Sequence, residues 1–153
     1  MNEQSLEGMT LASWAGGVWN RYRRGIPLIG LEGALGQAMD FHTEWRPYWD
    51  TLETTKDPDV SRLVLHVHHD AMVKLQIDVG NPQKIKECYE QLLNKQFKEF
   101  EAIHTIVVAF TEELWQSRSG NSPFDLARYV QKAEEYTRVA LQRPTWVRTK
   151  HER

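Results

Sequence analysis

The chain has 153 residues, 41% of them apolar and 26% charged, which suits a soluble globular protein with one core of ordinary size. A net charge of -2 exerts no global pull on nucleic acid or anionic lipid. The single cysteine, Cys88, excludes an intrachain disulfide and any CxxC metal site. No stretch reaches the roughly 18 apolar residues of a membrane span. The first residues carry Glu3 and Glu7 and no long apolar run, so no signal peptide is expected and the default location is cytoplasmic.

Hydrophobic periodicity is helical throughout. Thr10–Arg24 reads as a helix stopped by Gly25, Ile26 and Pro27. Leu28–His42 reads as a second helix, extended toward Leu52 by a bent turn at Arg46-Pro47. Asp57-Pro58, Asn81-Pro82 and Ser122-Pro123 each pair a capping residue with proline at the first helical position. Val60, Leu63, Val64, Val67, Ala71 and Leu75 follow the first pair in steps of three and four, and Gly80 marks a stop. A helix from Pro82 to Arg118 would be roughly 55 Å long, so a break is expected near Asn94–Lys98. Phe124–Leu141 closes the set.

These elements predict an all-α fold, a single domain over residues 1–141 with five or six helices around an antiparallel bundle. Residues 142–153 form a short basic tail, either solvated or an interaction tail. Trp14, Trp19, Trp45, Trp49 and Trp115 fall at helical spacing and are expected in the core. Gly30, Gly33 and Gly36 match no phosphate-cradling motif and are expected to admit a neighbouring helix. Cys88 is expected to pack against a neighbouring helix, and Glu112-Glu113 to lie on a solvated face.

The densest chemistry is "LHVHHDAMVKLQ", residues 65–76. Residues four apart share a helix face, so His66 and Asp70 point the same way. His69 lies about 60° round the helix and His68 diverges toward solvent. Glu101-x-x-His104 places a carboxylate and an imidazole on adjacent turns in an apolar setting. His42 extends the stripe Leu28, Leu31, Leu35, Met39, and Glu32, ten residues before His42, can share its face. Glu32, His42, His66, Asp70, Glu101 and His104 are therefore the candidate metal ligands, suited to Fe, Mn or Zn. Against this stands the commoner use of a histidine on an apolar face as a satisfied core residue, and the second ExxH of a di-metal bundle is missing. No nucleophile–base arrangement, GxSxG or HExxH is legible, so no catalytic residue is assigned.

The blocks "VWNRYRRGIPLIGLE", "HTEW", "LHVHHDAMVKLQIDVGNP" and "EAIHTIVVAFTEELWQSRSGNSPFDLARYV" resemble the small bacterial proteins grouped as domain of unknown function 1841. The resemblance covers about residues 12 to 131. It implies an all-helical fold with a His- and Glu-rich interior suggestive of metal, and no established activity. Glu32, His42, Glu44, His66, Glu101 and His104 match the family pattern. Thr43, Arg46, Asp70, Phe100 and Ile103 depart from it, with Asp70 at a histidine position. The leading expectation is a cytoplasmic bundle binding one or two metals in a sensing, storage or oxygen-related role. The alternative is a non-catalytic module whose tryptophan-rich first helix or basic tail docks a protein partner or a second copy. Nucleic acid would have the tail alone to bind.

Overall fold

The computed structural model describes residues 10–143. Nearly all of the expected tail, 142–153, lies outside them. The described residues hold seven α-helices and one 3₁₀ turn, with no strand. No described helix is long and apolar enough to cross a membrane. The chain divides into two compact units between Leu75 and Gln76, a point inside one continuous helix.

In the first unit, α1 spans Leu11–Arg23. The Thr10 hydroxyl accepts from the Ser13 N–H at 3.0 Å and caps it. Arg21 and Arg23 in its last turn suit the negative end of the helix dipole. The stop comes where expected, with Gly25 at φ +77°. Helix α2 spans Gly30–Phe41 and buries Ala34, Leu35, Ala38 and Met39 on one face. Of the three spaced glycines only Gly36 admits a neighbouring helix: a Cβ there would lie 2.4 Å from Cδ2 of Tyr22 on α1. At Gly33 an added Cβ would meet the chain's own Leu28 carbonyl, and Gly30 instead serves a positive φ of +59°. The bent turn resolves into a 3₁₀ turn, Thr43–Trp45, and a four-residue helix α3, Arg46–Trp49. Trp49 is wholly buried and its indole N–H donates to the Met39 carbonyl at 3.0 Å, which ties this turn back onto α2.

Helix α4, Pro58–Val79, begins at the expected proline. The Asp57 carboxylate accepts from the Asp59 N–H at 2.9 Å. Gly80 at φ +71° ends it. In the second unit, α5 spans Gln83–Asn94. Its cap position is Pro82 rather than Asn81, because the Asn81 N–H donates to the Gln76 carbonyl and closes the preceding helix instead. The expected break at 94–98 is present. Gln96 adopts φ +69°, and the Phe97 and Gln96 N–H groups donate to the Leu92 and Leu93 carbonyls, a left-handed C-terminal cap built without glycine.

Helix α6, Glu99–Ser119, follows, then α7, Leu126–Leu141. The expected start at Ser122-Pro123 moves to Asp125. Its carboxylate accepts from the Arg128 N–H at 3.1 Å while its own N–H donates to buried Glu113 at 2.9 Å. Helices α5, α6 and α7 pack pairwise, with Leu92, Phe97, Ala102 and Ala140 together in the core. Cys88 is buried on α5 beside Thr137 of α7, as expected, and burial pushes its thiol up.

Candidate metal centre

His42 follows the last residue of α2 at φ -83° and ψ 72°, outside helical geometry. That turn carries its imidazole inward, and the residue is buried. Asp70 sits mid-helix on α4 and is fully withdrawn from solvent, as are Val67, Ala71 and Val73 around it. His66, one turn earlier, keeps 40% of its side chain exposed. The Nε2 of His42 lies 3.1 Å from Asp70 Oδ2, and the Nε2 of His66 lies 3.4 Å from the same oxygen. The donor atoms of the three residues all fall within 4.8 Å of one another.

Aromatic rings enclose the pair of imidazoles. Trp45 stacks on His42 with centroids 4.2 Å apart and an interplanar angle of 17°. It meets His66 edge-on at 5.4 Å, and the two imidazoles meet each other edge-on at 5.1 Å. Trp45 is in turn braced edge-on by Trp49 at 6.2 Å. The Glu44 carboxylate lies 3.4 Å from His42 Nδ1. Of the candidate ligands, His42, His66 and Asp70 are thus brought together within the first unit.

Glu32 is not in this group: it is held by the Arg21 guanidinium in a partly exposed ion pair. Glu101 and His104 belong to the second unit, one turn apart on α6, both partly buried. His104 meets Phe100 edge-on at 6.3 Å, in keeping with the apolar setting expected for it. His68, expected toward solvent, is half-buried with its ring edge-on to Trp14 at 6.1 Å, and burial pushes its pKa down. His69 is also half-buried.

The α1 tryptophans, expected in the core, are buried at Trp19 and half-buried at Trp14, and two other readings are corrected. Trp19 is buried, stacks on Tyr22 and donates its indole N–H to Asp50 at 3.2 Å, and Trp14 packs on His68. Trp115, expected in the core, is 73% exposed. Glu113, expected on a solvated face with Glu112, is completely buried.

No curated protein and no solved structure matches the chain. A family model described as Domain of unknown function (DUF1841) matches residues 13–135, and the chain belongs to that family.

Proposed function

We propose that this protein binds a first-row transition metal through His42, His66 and Asp70. One observation carries the reading: two imidazole Nε2 atoms converge on a single oxygen of a carboxylate fully removed from water. A buried carboxylate is costly unless a cation or strong donors meet it. Nitrogen donors with one carboxylate suit Fe, Mn or Zn. His104 is the further nitrogen donor this reading assigns, with Glu101 one turn before it as a supplementary oxygen donor. Glu32, already committed to Arg21, is given no part. A metal held here supplies Lewis acidity, and with Fe or Mn a one-electron couple. The chain's own contribution is a buried anchor at Asp70, ring planes held by Trp45, and an approach from the more exposed His66. One ion per chain favours a sensing or oxygen-related role over storage. A cytoplasmic setting, which keeps the lone thiol reduced, belongs to the same proposal.

Metal analysis of protein purified without a histidine tag tests this. About one equivalent of Fe, Mn or Zn is expected, with a rise in melting temperature when the metal-free protein is reloaded. Substoichiometric metal together with an unchanged melting temperature overturns it.

A further inference from the structure

We infer that Asp40 and Arg46 are positioning residues: their ion pair clasps the turn that carries His42 and Trp45, and so aims the imidazole at the ion without touching it. The inference rests on the metal-binding reading above and concerns how the chain builds that site.

His42 has left helical geometry, so the regular backbone of α2 does not fix its direction. Asp40 stands in the last turn of α2, and Arg46 opens α3. His42 and Trp45 both lie in the short stretch between them. Arg46 Nη2 donates to Asp40 Oδ1 and also reaches the Asp40 carbonyl at 3.4 Å. The guanidinium thus grips side chain and backbone of one residue, which a fork of N–H donors can do. Tyr22 of α1 anchors the far side. Its hydroxyl donates to Asp40 Oδ2 at 3.2 Å, and its ring lies against Gly36. Inside the closed turn the Trp45 N–H donates to the His42 carbonyl at 3.0 Å. The indole then stacks on the imidazole.

The fold has another tie between the same two helices, the buried bond from the Trp49 indole to the Met39 carbonyl. The Asp40–Arg46 pair is partly exposed, where an ion pair adds little to global stability. Its effect is local. A long-range field would act differently. Asp40 attracts a cation and Arg46 repels one, so by charge alone their removal changes affinity in opposite directions. A clasp needs both partners, so either loss opens the same turn.

Binding of the metal found in the native protein is compared in native, Asp40→Ala, Arg46→Ala and doubly substituted chains. Each single variant should bind about 10-fold more weakly, the low end for outer partners of a metal ligand. The double variant should bind no worse than either single one, since the two losses break one contact. In the metal-free native chain, NMR should find the His42 ring protons displaced upfield by the stacked indole, and all three variants should move them back. Metal-free melting temperatures should stay within a few degrees of native. Weaker binding in Asp40→Ala with unchanged or tighter binding in Arg46→Ala is a field effect and overturns the inference. So do losses that add in the double variant, ring protons that do not move, or a fall of about 10 °C or more, which marks a purely structural pair. If the native chain takes up no metal, the proposed function fails, while the ring protons still decide whether the clasp positions His42.

Discussion

Asp70 in the first unit and Glu113 in the second are both fully buried carboxylates on long helices, yet they are met by different chemistry. Glu113 is closed by donors that have nothing else to offer. Arg128 Nε donates to Oε2 at 2.6 Å and Nη2 to Oε1 at 2.7 Å, and the Asp125 N–H adds a third bond at 2.9 Å. A guanidinium stays charged and has no lone pair to give, so this fork-to-fork pair pins the loop between α6 and α7. Asp70 is met instead by imidazoles, each of which can donate a proton or present a lone pair. Burial of a carboxylate therefore does not mark a site. The partner does: arginine completes a structural clamp, whereas paired imidazoles leave room for a cation.

The sharpest way to break this comparison is to remove one charge from each place. Asp70→Asn keeps the shape and one acceptor but loses the anion. Outer carboxylates at metal sites are worth about 10–100-fold in affinity, so loss of the ligand itself should cost on the order of 100-fold or more and leave the purified protein metal-free. Glu113→Gln should leave metal content unchanged. Equal metal in Asp70→Asn and native protein would return the Asp70 cluster to the same structural class as the clamp. Next in size is Arg128→Met, which strands the Glu113 carboxylate without its guanidinium. The melting temperature should fall by roughly 5–10 °C, with metal content retained. A shift under about 2 °C would mean that Glu113 finds other donors.

The sequence discloses these two regions unequally, for physical reasons. His66 and Asp70 are legible because both lie on one uninterrupted helix, where four residues make one face. The stop at Gly25, the start at Asp57-Pro58 and the break near Gln96 are legible because caps and positive φ are local chemistry. Helical phase puts Glu32 on the face of His42, but His42 lies beyond the helix, at ψ 72°, so the phase does not reach it. The two glutamates 112 and 113 read as one solvated pair, although neighbours on a helix point about 100° apart. The signal for Glu113 was available: it continues the buried stripe of Ile106, Ala109 and Phe110. The partners Arg128 and Asp125 were not legible, since they arrive from the next helix and its loop. Trp115 follows the helical spacing of core residues yet stands in solvent, and nothing in the structure explains its exposure.

The smallest effect sharpens the contrast most, because it separates a charge clamp from mere packing. Hydrogen bonds from Arg128, then the Asp125 N–H, hold the Glu113 carboxyl at about 2 against an ordinary 4.5, despite the opposing pull of burial. In the unfolded chain the same group takes up its proton near 4.5. Between those values the unfolded state binds more protons, so stability falls as pH falls. The clamp's contribution is complete above pH 4.5, declines through the window and is gone below about 2. Melting curves of native protein and Glu113→Gln, both with chelator present so that ligands at Asp70 do not contribute, should differ by roughly a few degrees at about pH 5. That difference should close as the acid limb is descended. A gap that stays constant across the window would assign the stabilisation to the shape of the side chain. A closing gap assigns it to the charge, which is the property that separates a carboxylate finished by arginine from one still open to a metal.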